Sequence, residues 1–329
     1  MMDQLIARYT EQLHEAIEIG STVNIRPHDK PINKVYVAGL GGSGIGADFV
    51  AAIIRQECKV PYLVGKGYDI PAYVDENTLC IASSYSGNTE ETVASFDQMR
   101  GRGGKIIIVS SGGKLIDIAK EAGYDHVVVP GNWPSPRACL GYSFVQQLAI
   151  MEHLGFISDT ALAQVKSSIA LLDAEEEAIK VRAQEIAEIF HGRIPVIYCE
   201  NRMEPVALRL RQQINENAKA LCWHNVIPEM NHNELVGWRE KNDELAVLYL
   251  RNEDDLERNS VRMNINQEII GKYTSHIINQ YSKGANMVER MMYHVHLGDW
   301  ITWYLCQHRE MDSIEVDAID YLKGELAKL

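Results

Sequence analysis

Apolar residues along the chain recur in two rhythms. Over residues 3–19 they fall at Leu5, Ile6, Tyr9, Leu13, Ala16 and Ile17, the stripe of an amphipathic helix. Short unbroken apolar runs then alternate with helical spacing. Val35–Ala38, Val60–Val64, Leu79–Ser83, Ile106–Ser110 and His126–Pro130 read as strands. Helices are predicted over Ile45–Gln56, Asn88–Arg100 and Leu115–Glu121. This alternation predicts a parallel sheet with helices on both faces. A long helical stretch, Ser158–Phe190, carries DAEEEAIK and no glycine, and reads as a solvated connector. The alternation restarts with strands Ile194–Cys199, Leu245–Leu250 and Ser275–Tyr281, and helices Glu204–Leu221, Leu256–Ile270 and Ala285–Gln307. The expected organisation is an α/β domain over residues 1–155, a helical connector over 156–190 and a second α/β domain over 191–329.

Composition narrows the classes. A length of 329 residues suits two domains, and 46% hydrophobic with 23% charged residues is a globular balance rather than a disordered one. The net charge of −13 argues against a nucleic-acid partner, which would call for a basic surplus. Any phosphate site must then be a local positive island. The six cysteines show no close pairs and no zinc-like spacing, and read as reduced thiols of a cytoplasmic protein. The N-terminal MMDQLIARYTEQLHEAIEIG carries acids and no apolar signal core, and no uncharged apolar stretch approaches the length of a membrane span.

Two loops carry candidate chemistry. In VYVAGLGGSGIGADF, Gly39, Gly41 and Gly44 fit G-x-G-x-x-G between a strand and a helix. Glycines there let backbone amides approach an anion at a helix N-terminus. A dinucleotide site would also need an acid at the end of the second strand, which instead reads Val64-Gly65-Lys66 with Asp69 late. A ligand-free strand–helix turn is the other reading. In IASSYSGNTEET, Ser84, Ser86 and Thr89 follow a buried strand and open a helix. Hydroxyls and turn amides together make a cradle for a phosphate dianion without a basic residue. The alternative is a simple helix cap, Ser86 or Asn88 with Glu91 closing a capping box.

These pieces resemble a known family. S-x-S-G-x-T after the third strand, with GGSG after the first, is similar to the sugar isomerase (SIS) fold family. PSPRACLGYSF, QINENAKA, PEMNHNELVGW, YHVHLGDWITWYL and IDYLKGEL, in that order over nearly the whole chain, resemble the bifunctional phosphoglucose/phosphomannose isomerases. The resemblance implies two SIS-type doubly wound domains with parallel five-stranded sheets flanked by helices. It implies an enzyme without metal or other cofactor that interconverts glucose 6-phosphate and mannose 6-phosphate with fructose 6-phosphate. The phosphate would rest on Gly42, Ser43, Ser84, Ser86 and Thr89. It also implies a homodimer with active sites at or near the subunit interface.

Moving a proton between C1 and C2 of a sugar suits a carboxylate, whose pKa burial and neighbours can tune. Glu216 lies in RLRQQINENAKAL, off the stripe of Ala207, Leu210, Ile214, Ala218 and Leu221 and near Arg209, Gln213 and Lys219. By spacing alone it reads first as an exposed glutamate paired with Lys219; the resemblance makes it the base. His232, in PEMNHNEL, is a loop histidine able to transfer protons or to cap the next helix. The resemblance assigns it to ring opening, contributed by a partner subunit. Arg137 follows the fifth strand, where open sheets bind ligands, and could stabilise an enediolate; a surface arginine in a turn is the plain alternative. Lys323, near the end of a terminal helix, is ordinarily a solvated lysine, and the resemblance brings it to the substrate.

His294 and His296 stand two apart on a predicted helix, point to different sides, and do not suggest one metal site. The eleven methionines read as core or contact residues. A non-catalytic sugar-phosphate sensor would share the cradle but needs no proton shuttle such as Glu216 and His232. An aminotransfer enzyme on the same fold would need an ammonia-supplying domain, which is not seen here.

Overall fold

A computed structural model of the chain describes residues 1–328. These fall into two compact units. The first comprises Arg8–Asp173 with Gly284–Glu289; the second comprises Met1–Ala7, Ala174–Lys283 and the chain from Arg290 onward. The elements are, in order, α1 (Met2–Ala7), α2 (Tyr9–Ser21), β1 (Lys34–Ala38), α3 (Gly41–Ile54), β2 (Tyr62–Gly65), β3 (Thr78–Ser83), α4 (Glu90–Arg100), β4 (Lys105–Ser110), α5 (Gly113–Ala122), β5 (Asp125–Val128) and α6 (Leu140–His153). They continue as α7 (Thr160–Phe190), β6 (Ile194–Glu200), α8 (Glu204–Ala218), β7 (Trp223–Ile227), β8 (Leu245–Arg251), α9 (Glu257–Ile270), β9 (Ile277–Tyr281), α10 (Met287–His308) and α11 (Asp317–Leu326).

The first sheet is parallel, in the order β2-β1-β3-β4-β5, with Val37 of β1 beside Val64 of β2 and Ile81 of β3. Every residue of β3 and β4 is buried, which is why both read as continuous apolar runs. Tyr36, Ala38, Cys80, Ala82, Ile106 and Ile108 pack under α4 and α5 through Val93, Phe96, Met99, Leu115, Ile116 and Ala119. Alternate strand residues face the other side, where α3 and α6 meet, Phe49 tilted on Phe144 with ring centroids 6.2 Å apart. Helix α6 was not predicted. Twelve of its fourteen residues are buried, so it presents no polar stripe and no helical rhythm. Burying side chains such as Phe144, Leu148 and Met151 contributes about 1.5–3 kcal/mol each.

The second sheet is also parallel but has four strands, β7-β6-β8-β9, not the expected five. After β9 the chain passes directly into the 22-residue α10 and then α11, leaving no apolar run for a fifth strand. Strand β7, WHNVI, was not predicted: it is a short edge strand with polar residues at two of its five positions. Its core gathers Val196, Tyr198, Val247 and Tyr249 against Ile227, Met230, Trp238, Met263 and Ile270.

Two other expectations are corrected. The N-terminal helix is two helices, broken at Arg8, whose guanidinium forks onto Glu11 at 2.8 Å and lies 4.7 Å over the Trp133 ring. Helix α8 ends at Ala218, so Leu221 is not on its core stripe and is 85% exposed.

His294 of α10 is buried, with Nε2 3.2 Å from the carbonyl of Arg251. Burial pushes its pKa from 6.5 down to about 4. The folded state therefore refuses a proton that the unfolded chain accepts below pH 6.5. Stability present above that pH is lost as pH falls toward 4, by up to about 3 kcal/mol from this group. His294→Gln keeps a donor for the carbonyl and cannot be protonated. Urea midpoints at pH 7 and pH 5 should differ less in this variant than in the wild type; an unchanged difference would assign the acid sensitivity elsewhere.

Candidate active site

The order β2-β1-β3-β4-β5 places the topological switch point between β1 and β3, whose following segments leave toward opposite faces. Both loops at that point carry predicted site residues. After β1, Gly39 lies against the next loop: a Cβ there would sit 2.9 Å from the Ser83 carbonyl. Helix α3 begins at Gly41 with no side chain capping it, and Ser43 is buried in its first turn. A Cβ on Gly42 would lie 3.4 Å from the carbonyl of Pro136, so the turn before Arg137 adjoins the glycine loop.

The loop after β3 is held from within. Ser84 is buried; its Oγ accepts from the Gly87 amide at 3.1 Å and shares a 2.9 Å bond with Thr89 Oγ1. Two hydroxyls that share one bond retain one O–H between them for another acceptor. Ser86 Oγ accepts from the Asn88 amide at 3.2 Å and is exposed. Asn88 Oδ1 accepts from the Lys114 amide at 2.9 Å, tying the loop to the start of α5. Helix α4 starts at Glu90 with Thr89 in the cap position, and no side chain caps it among the described residues. The capping box considered from sequence is therefore not formed. The first-turn amides of α4 lack a side-chain cap, a favourable setting for an anion. At the end of β2, where a dinucleotide site wants an acid, Lys66 stands in an ion pair with Asp48.

Arg137 sits in the 3-10 turn Pro136–Ala138 and is 8% exposed, which corrects the surface-arginine alternative. That turn is clamped by a residue outside the predicted site. Gln12 of α2, fully buried, donates from Nε2 to the Ala138 carbonyl at 2.8 Å and accepts from the Gly141 amide at 2.7 Å. Its neighbour α6 adds Ser143, bonded to the Ser43 carbonyl at 3.3 Å, and Gln146, bonded to the Ala16 carbonyl at 2.7 Å. A glutamine on the buried side of an otherwise apolar stripe was the only sequence sign.

Glu216, His232 and Lys323 belong to the second unit. Glu216 is half-buried near the end of α8. The face it shares is not solvated as expected. Arg209 donates to Asp299 of α10 at 2.7 Å, Gln213 to the same carboxylate at 3.1 Å, and Asn217 to Thr302 at 2.9 Å. Lys219, with φ of 54°, ends the helix in the left-handed conformation and donates from Nζ to the carbonyls of Glu216 at 2.6 Å and Glu315 at 2.8 Å. The expected lysine partner thus bonds the backbone of Glu216, and it ties the α8 terminus to the segment that leads into α11. Lys323 lies on α11 and is exposed, like every residue of that helix. His232 ends the 3-10 turn Glu229–His232 and is exposed.

The second sheet has its own switch point, between β6 and β8. It is filled by protein. Glu200, 2% exposed, forks onto Arg202 at 2.6–3.1 Å, and Asp255 accepts from the Asn252 amide at 2.9 Å and its side chain at 3.0 Å. Burial, with Glu200 adjacent, raises the Asp255 pKa to about 6. Among the described residues no group of three or more His, Cys, Asp or Glu is arranged to hold a metal ion. His296 instead bonds Glu176.

Comparison with known proteins gives this geometry a class. The sequence matches the SIS domain family over residues 30–135 and the bacterial phospho-glucose isomerase C-terminal SIS domain over residues 179–326. The structure is similar to the C-terminal domain of glucosamine-fructose-6-phosphate aminotransferase from Francisella tularensis, with a TM-score of 0.79, 12% identity, and 95% of this chain and 97% of that one covered. It is similar to tagatose-6-phosphate ketose/aldose isomerase from Escherichia coli, with a TM-score of 0.72, 12% identity, and coverage of 96% and 95%. Fold and loops together define a protein of two SIS domains.

Sequence kinship is narrower. The bifunctional phosphoglucose/phosphomannose isomerase of Caldicellulosiruptor bescii is 35% identical, covering 100% of this chain and 99% of that protein. The enzyme of the same name from Aquifex aeolicus is 33% identical, over 91% and 92%. The chain belongs to the family of bifunctional phosphoglucose/phosphomannose isomerases.

The cradle depends on Gly87, whose φ is +69° and whose Cβ would strike the Gly112 carbonyl. Gly123 has a φ of +72° with open space around it. Gly123→Ala should cost about 1–2 kcal/mol of backbone strain, and Gly87→Ala clearly more, because the loops must part. Denaturation midpoints of the two variants check this; equal losses would mean that the loops yield freely.

Proposed function

We propose that this chain interconverts glucose 6-phosphate and mannose 6-phosphate with fructose 6-phosphate, by way of an enediol. Kinship to isomerases over the whole chain is the observation that supports the reading most. The substrate phosphate is held by Gly42, Ser43, Ser84, Ser86 and Thr89, through amides and hydroxyls at the starts of α3 and α4. Hydrogen-bond donors of this kind bind a dianion on a protein whose net charge is −13 without adding a cation.

His232 assists ring opening. The O5–C1 bond breaks, O5 gains a proton and the C1 hydroxyl loses one, which leaves an open-chain aldehyde. Glu216 then removes the C2 proton; the resulting enediolate is stabilised by the Arg137 guanidinium. The O2 proton passes to O1, and returning the C2 proton to C1 completes the ketose: C2 has been oxidised and C1 reduced within one molecule, with no external electron carrier. Reprotonation at C2 from either face yields both epimers. Lys323 contributes a further cation to the substrate. The protein acts as a homodimer with active sites at or near the subunit interface, His232 coming from the second copy. It works in the cytoplasm, and no helix among the described residues is long and apolar enough to cross a membrane.

Glu216→Gln should lower isomerisation of glucose 6-phosphate and mannose 6-phosphate by about a thousandfold or more, within the range of positioned proton transfer. Inhibition by inorganic phosphate should be unchanged, because the cradle is intact. A rate within tenfold of wild type would remove Glu216 from the base role. EDTA in the same assay should leave both activities unaltered.

A further inference from the structure

The segment Asn231-His232-Asn233-Glu234 contains three tethers and one group without a tether. Asn231 donates to Asn266 of α9 at 2.8 Å. Asn233 donates to Glu229 at 2.7 Å, and its Oδ1 accepts from the Glu234 amide at 2.6 Å. Glu234 holds the most. Its Oε1 accepts from Tyr198 Oη of β6 at 2.5 Å and from Trp223 Nε1 of β7 at 2.9 Å, while Oε2 accepts from Asn225 Nδ2 of β7 at 2.6 Å. Tyr198 in turn accepts from Trp238 Nε1 at 3.1 Å, just past the segment. The His232 imidazole makes no hydrogen bond among the described residues, and the residue is exposed.

The backbone here is two single 3-10 turns, Glu229–His232 and Glu234–Gly237, which hold little shape by themselves. Side-chain bonds must therefore set where His232 points. One carboxylate collects three donors from two adjacent strands. Charge-assisted bonds of this kind are short and directional. Replacing the charge would leave the Tyr198 hydroxyl and two N–H groups competing for weaker acceptors.

We infer that Glu234 is a positioning residue for His232: its carboxylate pins the 229–237 segment to β6 and β7 so that the imidazole is presented in one direction. This rests on the ring-opening role proposed for His232. Glu234 itself need touch no substrate.

A double-mutant cycle tests the inference: wild type, Glu234→Gln, His232→Ala and the pair, with kcat and KM for glucose 6-phosphate, inhibition by inorganic phosphate, and melting temperature. Glu234→Gln should lower kcat by about 10- to 100-fold, the scale of a misplaced proton-transfer group, with KM and phosphate inhibition within about threefold of wild type. In the His232→Ala background the same change should cost less than about threefold more, because its target is gone. Should Glu234→Gln not fold, Tyr198→Phe removes one anchor and keeps the buried ring, and the same non-additivity is expected. If His232→Ala alone retains near-wild-type kcat, the ring-opening role falls and the inference with it. If His232→Ala is impaired while Glu234→Gln is not, only the positioning inference is overturned. Losses that multiply in the double variant overturn it as well, since the two residues would then act separately.

Discussion

Two neighbouring strands whose chains leave in opposite directions govern the first unit. Because β1 and β3 are parallel and adjacent, their following loops emerge at one edge. Because the next elements go to opposite faces, the loops diverge there, the arrangement in which open parallel sheets bind ligands. Two helix N-termini, α3 and α4, therefore open beside each other with their first amides uncapped by side chains. Close approach needs residues without side chains at the tightest points. Gly44 is one, since a Cβ there would lie 2.5 Å from the Gly39 carbonyl. The rest of this unit braces that edge. Gln12 holds both sides of the Arg137 turn, and Ser143 of α6 reaches the Ser43 carbonyl.

The second sheet repeats the strand logic with a different outcome. Its β6/β8 edge has the same divergence, yet Glu200 pairs with Arg202 and Asn252 with Asp255, and Arg202 reaches across to the Asp254 carbonyl at 2.7 Å. Where the first unit has GLGGSG after its first strand, the second has ENRM, and an ion pair fills the place that glycines leave open. The raised pKa of Asp255 follows from that filling: burial disfavours its charged form, and the neighbouring Glu200 carboxyl adds to the effect. In this unit the residues proposed for catalysis, Glu216 and His232, lie elsewhere, on the end of α8 and on the 229–237 segment.

Buried polar side chains recur as fixtures rather than as core filler. Arg209 with Asp299 and Asn217 with Thr302 set the rotation of α8 against α10, and Glu216 follows from that rotation. Each such pair costs desolvation and is weak evidence for stability. What it confers is one arrangement, since a rotated helix would leave the partners unmatched.

By itself, the sequence determined the alternation of elements, the two loops after β1 and β3, and the resemblance carried by NENAK and NHNE. Those features are local: an apolar run, a glycine spacing or a motif is written in consecutive residues. Tertiary structure alone decided the features that depend on what covers each face. Helix α6 shows no rhythm because neighbours bury it all round, and β7 is too short and polar to stand out. The face of Arg209, Gln213 and Asn217 reads as solvated until Asp299 and Thr302, more than eighty residues on, are seen opposite it. What Gln12 and Glu234 do is not written in their neighbours along the chain, because their partners, Ala138 and Gly141 for one and Tyr198, Trp223 and Asn225 for the other, are brought to them only by the fold.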